Sequence, residues 1–142
     1  MQNSGRTAGY ILLAEDNPDV LLVKEALDGE RIGCSLQVLS DGEEMVKFIQ
    51  HLDTSHLHDC PKLLLLDLHL PKRDGEEILR QLRSSERCAQ TPVVILSSAA
   101  STQHFDPTRH AALHYFRKPT SLVEFMKLGQ VVKDIISPGA TA

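Results

Sequence analysis

Leu63-Leu64-Leu65-Leu66-Asp67 is the stretch that most limits what this chain can become. Four consecutive leucines leave no polar side, so the segment reads as a strand covered on both faces, the position of a central strand in a parallel sheet flanked by helices. The run ends on a carboxylate, and Leu68-His69-Leu70-Pro71-Lys72-Arg73-Asp74-Gly75 follows, rich in turn-forming Pro, Asp and Gly. In open α/β sheets, ligands bind at the carboxyl ends of the strands. Asp67 is therefore either a turn or cap acid or a group placed for chemistry, and this stretch alone does not choose.

Similar segments recur along the chain. Tyr10-Ile11-Leu12-Leu13-Ala14 is a second buried strand, ending in Glu15-Asp16-Asn17-Pro18, where Asn17 can cap a helix and Pro18 can open it. That helix carries Val20, Val23 and Leu27 on one stripe and stops near Asp28-Gly29. Leu36 to Leu39 is a weaker strand, and Asp41 with Glu44 forms a capping box for a helix whose apolar face is Met45, Phe48, Ile49 and Leu52. Asp74 and Glu77 repeat the capping pattern before Ile78, Leu79 and Leu82. Pro92-Val93-Val94-Ile95-Leu96 is a β-branched strand ending on Ser97, and Pro107 restricts the helix after it to a short piece reaching about Leu113. Tyr115-Phe116-Arg117 is a brief last strand leading into Lys118-Pro119. Ser121 and Glu124 then cap a final helix with Leu122, Phe125, Gly129, Val132 and Ile136 on one face. The alternation of strand and helix demands right-handed crossovers, a parallel sheet and helices on both faces.

The 142 residues suit one domain over 10–136, with 1–9 and 137–142 as tails. No apolar run approaches the roughly 20 residues that span a bilayer, and segment 1–9 lacks the apolar core of a secretory signal. The net charge of −4 argues against a nucleic-acid surface. Cys34, Cys60 and Cys88 are odd in number and contain no C-x-x-C pair, so they read as free thiols of a reducing, cytoplasmic compartment. His56-Leu57-His58-Asp59-Cys60 offers metal-ligand types but lacks a second ligand pair, and reads as a solvated loop.

In a parallel sheet all carboxyl ends lie along one edge, so Glu15, Asp16, Asp67, Ser97 and Lys118 converge there. Crowded carboxylates repel unless a cation neutralises them, and Mg²⁺ suits a few carboxylates, a backbone carbonyl and retained waters. Lys118 supplies positive charge and Ser97 a hydroxyl donor for an anionic ligand such as a phosphoryl group. An aspartate between a metal and a lysine can attack phosphorus to give an aspartyl phosphate.

In this ordered set of Glu15-Asp16, Asp67 to Gly75, Ser97 and Lys118-Pro119, the chain resembles the receiver domain of two-component response regulators. Glu15-Asp16-Asn17-Pro18, the loop before the third strand and Leu65-Leu66-Asp67-Leu68 are further similar to stand-alone, phytochrome-associated receivers. The resemblance implies a flavodoxin-like (βα)5 fold: a doubly wound five-stranded parallel sheet, order 2-1-3-4-5, in a three-layer α/β/α sandwich. It implies that Asp67 is the phosphoacceptor, taking its phosphoryl group from a sensor histidine kinase, phytochrome types included, or from a phosphotransfer protein. Asp16, Asp67 and the backbone carbonyl of His69 coordinate Mg²⁺ on this reading, with Glu15 acting mainly through water. Ser97 and Tyr115 form the switch pair, Lys118 holds a phosphoryl oxygen, and the Lys118–Pro119 bond is cis. Output is by protein contact in a single-domain regulator that catalyses only its own phosphorylation and dephosphorylation.

Several positions depart from the family pattern. Ser97 replaces the commoner threonine, Ala111-Ala112 replaces Gly-Ala before the switch aromatic, the Ser97 to Tyr115 stretch is slightly short, and His69 stands where asparagine is more frequent. A degenerate, phosphate-independent binding module is one alternative. An aspartate-nucleophile phosphatase is another, disfavoured because it needs an acid where His69 stands. Leu128, Val131 and Ile135 form a second apolar stripe on the last helix, an expected homodimer or partner surface on the fourth and fifth helix face.

Overall fold

The computed structural model describes residues 9–14, 19–55, 59–67, 72, 75–97 and 113–136. Its strands are β1 (Tyr10–Ala14), β2 (Ser35–Leu39), β3 (Leu63–Asp67), β4 (Val93–Ser97) and β5 (Leu113–Arg117). They form one five-stranded sheet in the order β2-β1-β3-β4-β5, every pairing being parallel. The described helices are α1 (Asp19–Gly29), α2 (Gly42–Thr54), α3 (Gly75–Arg83), α4 (Leu122–Phe125) and α5 (Lys127–Ile136). The helix expected after β4 lies outside the described residues, as do its Pro107 and the Ala111-Ala112 pair.

Alternation along the central strands divides the core in two. Leu12, Leu64, Leu66, Val93 and Ile95 face α2 and α3, where Met45, Ile49, Leu52, Ile78, Leu79 and Leu82 meet them. Ile11, Leu13, Leu63, Leu65, Val94 and Leu96 face the other way, onto Val23, Ala26 and Leu27 of α1 and Phe125, Leu128 and Val132 of α4 and α5. Both faces of β1, β3 and β4 are thereby dry, which is why these strands are continuous apolar runs. The architecture is the expected three-layer sandwich.

The local signals act as the sequence demands at two helix starts. Asp41 caps α2, its Oδ1 accepting from the Glu44 N–H at 2.9 Å, while Glu44 Oε1 accepts from the Ser40 N–H at 3.2 Å. Ser121 caps α4 by accepting from the Glu124 N–H at 3.2 Å. Asn17, Pro18 and Asp74 lie outside the described residues.

Three expectations are corrected. Cys60 and Cys88 are a disulfide with Cα atoms 5.6 Å apart, and Cys34 alone remains a free thiol. Cys60 precedes β3 and Cys88 precedes β4, so neighbouring parallel strands bring the two sulfurs together at the amino edge although 28 residues separate them in sequence. The last helix is interrupted at Met126, where the Gly129 N–H reaches back only to the Met126 carbonyl. Finally, Leu128 is fully buried, and Val131 and Ile135 pack against the same cluster, so the stripe expected to meet a partner belongs to the core. α5 lies in the angle between sheet and α1, and Gly129 lets the two helices approach until there is no room for a side chain.

Candidate functional site

β3 carries Asp67 to the carboxyl edge, where its side chain is almost wholly buried. An ionised carboxylate in that position needs a partner. Lys118 supplies it, with Nζ 3.1 Å from Asp67 Oδ2. Lys118 follows directly on β5, and its N–H donates to the Ser97 carbonyl at 2.7 Å, tying the turn after β5 to the end of β4. An edge-to-face contact between Phe116 and Phe125, with ring centroids 5.9 Å apart, fixes the same turn to α4 from below. By alternation Asp67 continues the Leu63-Leu65 side of the sheet and Lys118 the Phe116 side, both being the face that α1 covers.

That placement brings in a residue the sequence reading did not nominate. Asp19 opens α1, and its Oδ2 lies 2.8 Å from Lys118 Nζ, closer than the Asp67 oxygen. Acids in a first helical turn favour the helix dipole, which is sufficient reason for Asp19 when only the sequence is read.

Ser97 ends β4, one residue beyond the Leu96 paired with Asp67. Its hydroxyl is buried and finds no hydrogen-bond partner among the described residues. Tyr115 pairs with Ile95 in the β4–β5 register and lies on the same sheet face as Ser97. The residue is 38% exposed on the edge strand. On the far side of the edge, Lys72, with φ +75°, reaches back to Asp41 at 3.3 Å. The Asp41 carboxyl is held below the ordinary carboxylate range, first by the Glu44 N–H and further by Lys72.

Glu15, Asp16 and His69 lie outside the described residues, and among those described no group of three or more His, Cys, Asp or Glu side chains gathers as a metal cluster. The Lys118–Pro119 bond is trans, contrary to the cis expectation, since no peptide bond among the described residues is cis. For an X-Pro bond the trans form is the default by about 0.5–1 kcal/mol.

Taken with its strand order, a buried acid, a lysine and a buried hydroxyl gathered at the carboxyl edge define a flavodoxin-like α/β domain whose polar groups stand where such folds bind ligands. Residues 11–129 match the response regulator receiver domain, and the chain belongs to that family. Response regulator Rcp1 of Synechocystis sp. is 31% identical over 94% of this chain and 92% of its own length. Among solved structures, the phosphorylated cyanobacterial phytochrome response regulator RcpA superposes with a TM-score of 0.75 at 27% identity, covering 95% of this chain and 96% of its own. The Mn²⁺-bound form of Rcp1 superposes with a TM-score of 0.71 at 32% identity, over 89% and 92%. No described helix is long and apolar enough to cross a membrane.

Proposed function

We propose that this chain is a phosphorelay response regulator whose unit, 10–136, accepts a phosphoryl group on Asp67 from a phosphohistidine of a sensor kinase or phosphotransfer protein. The observation that carries the reading is Ser97. A buried hydroxyl with no partner among the described residues costs about 1–3 kcal/mol, and a phosphoryl oxygen arriving on the neighbouring Asp67 would satisfy it.

In the transfer, an Asp67 oxygen bonds to phosphorus while the phosphorus–nitrogen bond breaks, and the departing imidazole keeps the electron pair and takes up a proton. Lys118, 3.1 Å from Asp67 before the reaction, holds a phosphoryl oxygen as charge builds on it. Mg²⁺ fits the donor chemistry: Asp16, Asp67 and the His69 backbone carbonyl would hold it, with Glu15 acting through water, all of them hard oxygen donors. Such a cation neutralises charge on the group being transferred. Ser97 then donates to the phosphoryl group, and the Tyr115 ring moves inward as the readout.

The module turns over no metabolite. A phytochrome-type kinase is the partner favoured by the likeness to RcpA, a phytochrome response regulator by name, and a cytoplasmic location goes with that partner. Contacts with a second copy fall on the outward side of β5 and α4, where Tyr115, Leu122 and Val123 are exposed.

The test is incubation with Mg²⁺ and a small phosphodonor, followed by intact mass measurement. Gain of one phosphoryl group by the wild type and not by Asp67→Asn supports the reading; no gain by either protein refutes it. Light scattering with and without beryllofluoride checks the self-contact, and a monomer in both states removes it.

A further inference from the structure

We propose that Asp19 is a positioning residue that competes with the phosphoryl group for Lys118. The inference rests on the phosphoacceptor reading of Asp67 and adds a group outside it. The Lys118 ammonium lies between two carboxylates on different elements, 2.8 Å from Asp19 Oδ2 and 3.1 Å from Asp67 Oδ2. Its side chain is only 15% exposed, with Asp19 at 27% and Asp67 at 3%, so the three charged groups are largely withdrawn from solvent. Asp19 belongs to α1, whose Val23, Ala26 and Leu27 are locked in the core, so this carboxylate is a fixed point towards which a flexible lysine is drawn.

An ammonium is a compact charge on a four-carbon stem with three donors, free to redistribute among acceptors within its reach. When Asp67 becomes an acyl phosphate its own carboxylate charge is gone, and the new anionic oxygens lie beyond it. Lys118 can serve them fully only by loosening its bond to Asp19. Each increment of Asp19–Lys118 attraction is therefore subtracted from the phosphorylated state, and Asp19 sets how firmly the lysine commits to the phosphoryl group. A carboxylate serving α1 alone, as a first-turn acid, would have no such effect.

Beryllofluoride, a phosphoryl mimic that adds to the acceptor aspartate, provides the test. Its dissociation constant is measured by calorimetry with Mg²⁺ for the wild type, Asp19→Asn, Asp19→Glu, Lys118→Met and the Asp19→Asn/Lys118→Met double variant, with thermal melts to confirm that each is folded. Asp19→Asn is expected to tighten binding about threefold to fivefold, the worth of a partly exposed ion pair. Asp19→Glu, which retains the charge, should bind less tightly than Asp19→Asn, and the gain should vanish in the Lys118→Met background. Unchanged or weaker binding by Asp19→Asn overturns the proposal. An equal gain in both lysine backgrounds also overturns it, since that would be simple repulsion between Asp19 and the anion. If the wild type binds no beryllofluoride, the acceptor role of Asp67 fails as well, a result distinct from a wild type that binds and an Asp19→Asn variant that does not differ.

Discussion

Gly129→Ala should lower the stability of the domain, although in an isolated helix the same exchange would raise it. A Cβ at this position would strike the Ala26 carbonyl oxygen on α1 and come within 2.8 Å of Glu30 Cγ and 3.1 Å of the Ala26 carbonyl carbon. The glutamate can swing away. The carbonyl cannot, because Val23, Ala26 and Leu27 hold α1 against the sheet, and Leu128 and Val132 hold α5 from its other side. Forcing a methyl group into such a contact typically costs about 1–3 kcal/mol, and the better helix propensity of alanine returns about 1 kcal/mol. Because the obstacle is backbone, the upper part of the range applies, leaving a net loss of about 2 kcal/mol. With an unfolding entropy of about 2.1 cal/mol/K per residue, this lowers the midpoint by roughly 7 °C. Thermal melts followed by circular dichroism read the shift. Gly29→Ala is the control, because nothing lies within 4 Å of a Cβ there, and its midpoint should hold or rise. A Gly129→Ala protein as stable as the wild type would mean that α1 and α5 are not held as close as described.

The Asp53 carboxyl lies below its ordinary value of 3.8, first because of the Ser85 hydroxyl at 2.6 Å and also because of the Glu86 and Arg87 N–H groups. A lowered folded pKa gives stability that is present above the unfolded carboxyl's pKa and lost as pH falls through the folded one. The advantage of the wild type over Asp53→Asn in urea unfolding should therefore shrink as pH falls below the ordinary carboxyl value of 3.8, and a pH-independent difference would contradict this. Ser97→Ala should stabilise the unphosphorylated protein by about 1 kcal/mol, since no hydrogen bond among the described residues is lost, yet weaken beryllofluoride binding. Paired urea and calorimetric titrations read both effects. Reducing Cys60–Cys88, which closes a loop of 28 residues, should cost about 3.6 kcal/mol on the chain-entropy account, measured as a midpoint difference with and without dithiothreitol that Cys60→Ser abolishes.

The layers of this fold are legible because their causes are local. Leu63 to Leu66 announce a strand wet on neither face, and Asp41 with Glu44 announces a helix start that both residues then build. The edge-clustering of Asp67, Ser97 and Lys118 follows from strand direction alone. What stayed hidden depends on which elements become neighbours. Cys60 and Cys88 pair because β3 lies beside β4, a fact about strand order that cysteine spacing does not encode. Asp19 looks like any first-turn acid until the turn after β5 swings Lys118 over α1. The apolar period of the last helix runs unbroken through Met126, so periodicity cannot register a break in the hydrogen-bond ladder. Leu128, Val131 and Ile135 read as a free stripe because the sequence does not reveal that α5 is wedged against two surfaces at once.

The disulfide and the acid site occupy opposite ends of the same two strands. Cys60 and Cys88 pin β3 and β4 where they enter the sheet, and Asp67 and Ser97 stand where they leave it. The strands are thus joined at one end by a covalent cross-link and at the other by the Asp67↔Leu96 pairing and by Lys118, which reaches both the Ser97 carbonyl and the Asp67 carboxylate. Leu64↔Val93, Leu65↔Val94, Leu66↔Ile95 and Asp67↔Leu96 are the rungs between them. Reduction of the cross-link would leave the spacing of Asp67 and Ser97 to this ladder and to Lys118, which a loss of beryllofluoride affinity on adding dithiothreitol would reveal.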